Sequence, residues 1–290
     1  MTAERLRVAA VTLDFGNTLV RVDRSGLRAV VEVTADAAER HGVITDRAGF
    51  LVAWAEERER QFREEVPEFR EVDVDQRAVR VLARAHGMAP PRAGERWDDI
   101  AAASLADPVH VSVVVDAYSQ AFVDRMTPVA DARSTLEALA GRGFALAILS
   151  NWPLAVTIDR FAEAHGWTPL LRAIVVSQRV GTIKPHPAIF RAAEEALGLA
   201  GPSGARAILH VGDDWAADVV GAHDAGWRTA YLRDRQADSP LPSSAPGAGI
   251  AEDAGMTIAP DLVIDELADL LDHVELAAPK EIAGAPTGPA

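Results

Sequence analysis

Cysteine is absent from the 290-residue chain, which excludes a disulfide framework, a thiol nucleophile and a thiolate metal site. Lysine is almost absent: of 29 Lys and Arg residues, only Lys184 and Lys280 are lysines. Positive charge is short as a whole, because 43 Asp and Glu leave a formal net charge of -14 and a pI near 5.0. A nucleic acid or an anionic membrane surface would be repelled from most directions of approach, so neither is expected as a partner. No apolar run nears the roughly 20 residues that span a bilayer. The first residues show no basic stretch leading into a signal-type apolar core, and a cytoplasmic location is the expectation. Internal repeats are also missing.

What is present is an ordinary globular composition, with 49% hydrophobic residues, enough for two modest domains with their own cores. The most informative feature is the apolar run Val8 to Leu13, which ends on Asp14-Phe15-Gly16-Asn17-Thr18. A buried strand ending on a lone carboxylate and then a flexible turn presents an oxygen nucleophile or a metal ligand at its tip. Alone, the pattern fits any polar turn after a parallel strand.

Three later segments repeat the theme. Ala145 to Leu149 runs into Ser150-Asn151, and Lys184 stands before a helical stretch from Pro187 to Leu197. Ala207 to Val211 ends on Gly212-Asp213-Asp214, with Asp218 one helical turn later. In an open parallel sheet, ligands bind beyond the carboxyl ends of the strands where strand order reverses. Nucleophile, hydroxyl, ammonium and carboxylates are therefore expected in one crevice. Lys184 stands out, because in a chain so poor in lysine the better reading of the many arginines is solvated helix faces.

Asp14-x-x-x-Thr18, Ser150, Lys184 and Gly212-Asp213-Asp214-x-x-x-Asp218, in that order, resemble the haloacid dehalogenase-like hydrolase superfamily. The resemblance implies an α/β fold: a doubly wound, Rossmann-like parallel core over 1–21 and 128–275, with a helical C1-type cap, 22–127, inserted after the first strand. Residues 276–290 are expected to be a disordered tail. It further implies a phosphatase in which Asp14 attacks phosphorus to give an aspartyl-phosphate. Mg2+ would be held by Asp14, the Gly16 backbone carbonyl and Asp213, while Thr18, Ser150, Asn151 and Lys184 bind the phosphoryl group. Asp214 and Asp218 would act as outer partners, Asp218 toward Lys184 or a metal water and Asp214 as a helix N-cap.

The insertion reads as helical throughout, over Leu27 to Arg40, Phe50 to Arg63, Val74 to Ala85, Trp97 to Leu105 and Val109 to Met126. Its aromatics Trp54, Phe62, Phe69, Trp97, Tyr118 and Phe122 are expected to pack between those helices rather than line a pocket. His41 and His86 suit helix ends. Thr127-Pro128 reads as the start of a helix ending at Gly141 or Gly143. Trp227 to Leu232 reads as a strand, 236–257 as a loose loop, Asp261 to Ile264 as a strand, and 265–275 as a helix.

Gly16 departs from the phosphatase pattern, in which an Asp two residues after the nucleophile protonates the leaving group; such help contributes roughly 10²- to 10⁴-fold. Similar Gly-Asn variants include proteins resembling sugar 1-phosphate phosphatases, where a better leaving group needs less protonation. Asp23 and His186 lie near enough in sequence to substitute, although His186 suits a helix start. The expected function is hydrolysis of a small phosphorylated metabolite. The rival is a catalytically weakened relative that binds a phosphorylated ligand or a protein partner. Dehalogenation is disfavoured because Gly16 stands where dehalogenases carry Tyr, and a phosphonoacetaldehyde-type hydrolase because 22–127 holds no lysine.

Overall fold

The structure is a computed structural model and describes residues 5–92, 95–233, 239–242, 244 and 258–278. Its centre is a parallel sheet of six strands: β2 (Ala10–Leu13), β5 (Ala145–Ser150), β6 (Ala173–Val176), β7 (Ile208–Gly212), β8 (Arg228–Leu232) and β9 (Leu262–Ile264). They lie in the order β6-β5-β2-β7-β8-β9. From β2 the chain winds outward through β5 to β6, then crosses back to β7 and winds the other way. That reversal is the doubly wound, Rossmann-like arrangement, and it leaves a crevice beside the tip of β2.

Both faces of the central strands are covered, which accounts for their nearly continuous apolar sequences. Alternate residues serve opposite faces. Val11, Leu13, Leu146, Ile148, Leu209 and Val211 join one core with Leu136, Phe161 and the inserted helices. Ala147, Leu149 and Ile208 join the other, with Ile189, Phe190 and Trp227.

The expected first strand is two. β1 (Leu6–Val8) pairs with β10 (Val274–Leu276), outside the main sheet. Ala9 and Ala10 both direct their N–H to the Ala207 carbonyl, at 2.7 and 3.1 Å, and this doubled contact separates β1 from β2. The expected helix over 265–275 is shorter than its pattern. A 3₁₀ turn at Leu267–Asp269 and a helical turn at Leu270–His273 give way to β10, which brings Leu276 into regular structure. Residues 279–290 of the expected tail, Lys280 among them, lie outside the described residues, as does most of 236–257.

Thr127–Pro128 is a strand, β4, rather than a helix start; it pairs antiparallel with β3 (Val20–Arg21). The following helix, α6 (Ala132–Gly141), begins after Asp131. β3 and β4 pinch together the two ends of the insertion. Between them lie α1 (Arg24–Arg40), α2 (Arg47–Glu64), α3 (Val74–Ala85), α4 (Asp99–Leu105) and α5 (Pro108–Arg125), with no strand among the described residues of this segment. Each of the five begins on an Asp whose carboxylate accepts a backbone N–H of the first turn: Asp23, Asp46, Asp73, Asp98 and Asp107. Part of the acidic surplus is therefore helix capping. Among the described residues no single helix is long and apolar enough to cross a membrane, and the α4–α5 pair is bent by 95°.

An aromatic cluster fastens the insertion to the sheet. Phe122 of α5 meets Trp152, beyond β5, at 5.1 Å between ring centroids, and Trp152 meets Phe15 of the first loop at the same distance. Phe15 also packs edge-on against Phe161 of α7 (Ala155–Ala164) at 5.4 Å. The loop carrying Asp14 thus rests on a rigid aromatic base.

Candidate active site

The register of the sheet sets the site. Leu13 pairs with Ile148 and with Val211, and the Asp14 N–H donates to the Val211 carbonyl at 2.8 Å, so Asp14 leaves β2 level with the ends of β5 and β7. The chain then curls tightly. Leu19 and Val20 donate to the Phe15 carbonyl, and Asn17 takes a positive φ of 61°, a conformation asparagine tolerates better than most residues. The curl brings the Thr18 hydroxyl to Oδ1 of Asp213 at 3.1 Å and the Asn17 amide to Oδ2 at 3.4 Å.

Lys184 is the hub. Its Nζ donates to Asp14 Oδ1 at 2.8 Å, to the Leu149 carbonyl at 2.9 Å and to Asp218 Oδ1 at 2.6 Å. Three acceptors for three N–H bonds leave the ammonium fully satisfied. Burial alone would lower its pKa, but the Asp14 and Asp218 carboxylates outweigh that effect and hold it above the ordinary lysine value. For Asp218, burial opposes ionisation while Lys184 and His210 overcome it, so this carboxyl sits below its usual range. Asp14 is raised, chiefly by burial against the pull of Lys184. Asp213 is pushed well above the carboxylate range by burial and by the charges of Asp14 and Asp218.

His210 belongs to the same network, although nothing in its apolar strand singled it out. Its Nε2 meets Asp218 Oδ1 at 3.1 Å and its Nδ1 meets the Thr12 hydroxyl at 2.9 Å. Burial lowers its pKa, favouring the neutral ring. The signal available beforehand was alternation: Thr12 and His210 are cross-strand partners and face the same side of the sheet.

The remaining expected residues divide. Asn151 clamps Lys184 through its backbone, accepting from the Lys184 N–H at 2.6 Å and donating to its carbonyl at 3.0 Å. Asp214 caps the π-helical turn Trp215–Val220 through the Ala217 N–H, and Ser244 bonds to both its oxygens. Ser150 is buried at the end of β5 with no side-chain hydrogen bond among the described residues. Asp23 and His186 are helix N-caps, of α1 and of α9 (Pro187–Leu197), and neither borders the cavity over Asp14. His41 and His86 sit at the C-terminal ends of α1 and α3.

A cavity of about 440 Å³ opens over Asp14 and Lys184. Its floor is Asp14, Asn151, Asp213 and Asp218, and Arg58, Phe62, Phe69, Arg77 and Tyr118 of the insertion face it. Of the six aromatics expected to pack inside the insertion, Trp54, Trp97 and Phe122 do so, Tyr118 packs on Trp54 and also borders the cavity, and Phe62 and Phe69 line it. Leu241 also borders it, against Gly16: a Cβ on Gly16 would lie 2.5 Å from Leu241 Cδ1 and 3.1 Å from the Trp152 ring. The space of the missing acid is filled by apolar atoms.

The donor set fits a hard divalent cation. One carboxylate oxygen from each of Asp14, Asp213 and Asp218 lies within 4.8 Å of the others, a concentration of negative charge that suits Mg2+. Asp218 is the most heavily engaged of the three, by Lys184, His210 and the Asp214 N–H, so Asp14 and Asp213 are the side chains better placed to hold such an ion. The Gly16 carbonyl accepts no hydrogen bond among the described residues.

Comparison with known proteins agrees with this geometry. A family model described as haloacid dehalogenase-like hydrolase matches residues 8–226. The chain is 32% identical over 159 residues to a ribulose-1,5-bisphosphate 5-phosphatase of Halopiger xanaduensis, covering 55% of this chain and 62% of that one, so less than two thirds of that relative is spanned. A 2-haloacid dehalogenase from Pseudomonas syringae shares the fold, with a TM-score of 0.60, 22% identity and coverage of 95% and 98%. So does a Bacillus subtilis HAD-hydrolase solved bound to magnesium, with a TM-score of 0.55, 17% identity and coverage of 91% and 97%. With its motifs at the strand tips and the family match over most of its length, the chain belongs to the haloacid dehalogenase-like hydrolases.

Proposed function

We propose that this chain is a Mg2+-dependent phosphoric monoester hydrolase that acts on a small phosphorylated metabolite through an aspartyl-phosphate at Asp14. The observation that carries the proposal is the placement of Asp14 between Lys184, at 2.8 Å, and the Asp213 carboxylate at the strand switch point. The ribulose-bisphosphate phosphatase relative supports a sugar phosphate as substrate.

Asp14 and Asp213 would hold the cation, whose positive charge would offset repulsion between an anionic nucleophile and an anionic phosphate. Asp14 supplies the attacking oxygen. Lys184 orients that carboxylate and places an ammonium where charge grows on the phosphoryl oxygens. Asp218 and His210 hold Lys184 in position, and Thr18 and Asn17 hold Asp213. Ser150 and Asn151 complete the phosphoryl cradle. As Asp14 bonds to phosphorus the ester P–O bond breaks, and the leaving oxygen takes its proton from solvent because position 16 offers no carboxylic acid; water then cleaves the aspartyl-phosphate, freeing Asp14 and releasing phosphate, so esters with acidic leaving groups, such as anomeric and acyl phosphates, are favoured. Helices α1 to α5 act as the cap that excludes water and selects the substrate, and we place the reaction in the cytoplasm.

The apolar filling beside Gly16 favours a second reading, a weakened relative that binds a phosphorylated ligand or a protein partner without turnover. Phosphate release from acetyl phosphate, glucose 1-phosphate and p-nitrophenyl phosphate, with Mg2+ and with excess chelator, separates the two. Mg2+-dependent release that vanishes in Asp14→Asn supports the hydrolase, and no release from any ester supports the binder.

A further inference from the structure

The cap side of the cavity is cationic. Arg58 of α2 and Arg77 of α3 both border it, and neither forms an ion pair among the described residues. Arg77 is only 3% exposed. Its Nε donates to Gln61 Oε1 at 2.9 Å and one terminal nitrogen to the Val72 carbonyl at 3.1 Å, with its guanidinium 5.3 Å from the Trp54 ring centroid. These partners satisfy hydrogen bonds, and the Glu71 and Asp73 carboxylates act on the charge without an ion-pair contact. Burial brings its pKa down to about 10, which still leaves it cationic at neutral pH. Arg58 rests over the Phe62 ring at 4.7 Å and makes no hydrogen bond among the described residues. Nearby cap arginines are paired: Arg80 with Asp99, Arg84 with Glu57.

Tyr118 completes the group. It is buried, stacked on Trp54 at 5.6 Å, and its hydroxyl makes no hydrogen bond among the described residues. Both guanidinium charges act on its phenol. Glu71, the cap carboxylate on the same cavity, accepts from the Ser177 hydroxyl and the Val72 N–H instead of pairing with either arginine. A buried guanidinium without an ion pair, beside a second, half-buried one and a free phenol, is costly unless something anionic meets it. On the phosphatase reading the phosphoryl group would be held at Asp14 and Lys184, which belong to the sheet side of the cavity, and not at the arginines of the inserted helices.

We propose that Arg58, Arg77 and Tyr118 form a subsite for a second oxyanion, so that the substrate is a phosphate ester whose far end carries a carboxylate or a second phosphate. The assignment rests on the phosphatase reading for the orientation of the ester. Guanidinium forks suit either group, and the apolar walls of Phe62, Phe69 and Trp152 between the two ends suit a short carbon chain.

Two matched pairs test it: 3-phosphoglycerate against glycerol 3-phosphate, which differ by the carboxylate, and fructose 1,6-bisphosphate against fructose 6-phosphate, which differ by a phosphate. The native enzyme should prefer the two-anion member of at least one pair by tenfold or more in kcat/KM, chiefly through KM. Arg58→Gln should bring that ratio close to one, and Arg58→Lys should restore part of it. Because turnover itself is a separate question, the same pairs are titrated calorimetrically in Mg2+ against Asp14→Asn, with and without Arg58→Gln. The two-anion ligand should bind at least tenfold tighter only when Arg58 is present. Equal binding within both pairs, or a preference that survives Arg58→Gln, overturns the subsite. Absence of phosphate release with this binding preference intact would instead refute the phosphatase reading alone.

Discussion

Nζ of Lys184 lies 2.6 Å from Oδ1 of Asp218, and both side chains are almost wholly enclosed, with 1% and 2% exposure. The chain's only lysine among the described residues is therefore a structural element of the core as well as a candidate catalytic group. Truncating it leaves Asp14 and Asp218 without their shared cation.

Lys184→Ala should abolish turnover and also destabilise the fold by about 3–5 kcal/mol, the usual penalty for breaking a buried ion pair. Lys184→Met combined with Asp218→Asn should recover much of the lost stability and none of the activity. Urea unfolding, read beside phosphate release, checks both statements. An unchanged unfolding midpoint in Lys184→Ala would show the pair to be energetically idle.

Asp213 faces the charges of Asp14 and Asp218 at close range. Without metal, Asp213→Asn should raise the melting temperature at pH 7.5 by relieving that repulsion. With Mg2+ the order should reverse, since binding to the native state stabilises it by mass action and the variant has lost a ligand. Thermal scans across a Mg2+ series test this, and an identical Mg2+ response in the two proteins would remove Asp213 from the metal site.

Glu71 supplies a pH test away from the phosphoryl site. Burial, against the Ser177 and Val72 hydrogen bonds, raises its pKa above the ordinary 4.5. The folded protein thus holds this proton more tightly than the unfolded chain. Its stabilising effect is complete below about pH 4.5 and declines as pH rises through the higher folded value. Glu71→Gln, which keeps a polar amide beside Ser177, should therefore raise the melting temperature at pH 7–8 and make no difference near pH 4. A gain that is the same at both pH values would assign the effect to packing.

Gly16→Asp would restore a carboxyl where phosphatase relatives of this pattern carry one, but Leu241 Cδ1 stands 2.5 Å from the new Cβ. Alone, the substitution should destabilise by about 1–3 kcal/mol through overpacking and leave alkyl phosphates as poor substrates. Paired with Leu241→Ala, it should raise turnover of simple alkyl phosphates by roughly 10²-fold or more, the lower range of general acid help. Rates for a leaving-group series on the three proteins decide it. Equal stability of Gly16→Asp and the native chain would contradict the packing.

The fold was legible wherever its cause was local. Buried strands announce themselves by apolar runs that stop at Asp14, Ser150 and Gly212, and α3 and α9 begin and end where their patterns predict because Asp73 and His186 cap them and Gly198 closes α9. Elsewhere the cause was distant. Thr127-Pro128 carries the signature of a helix start, yet pairing with Val20 and Arg21 makes it a strand. β1 separates from β2 because its partner is β10, at the far end of the chain.

The candidate site divides in the same way. By itself the sequence determined the chemical inventory and its order: a carboxylate and an acidic pair at strand tips and a lone lysine ahead of a helix, since strand tips and helix starts are read from neighbouring residues. Only the tertiary structure decided what those groups do to one another. It buried Lys184 against Asp218, drew His210 in from a strand that looked purely apolar, and packed Leu241 into the space above Gly16. It also set Arg58, Arg77 and Tyr118 around a cavity that their helical spacing gave no reason to expect. Hydrogen bonds, charge coupling and packing act over a few ångströms of space, whatever the separation along the chain, and those proximities arise only when the sheet and the inserted helices close on each other.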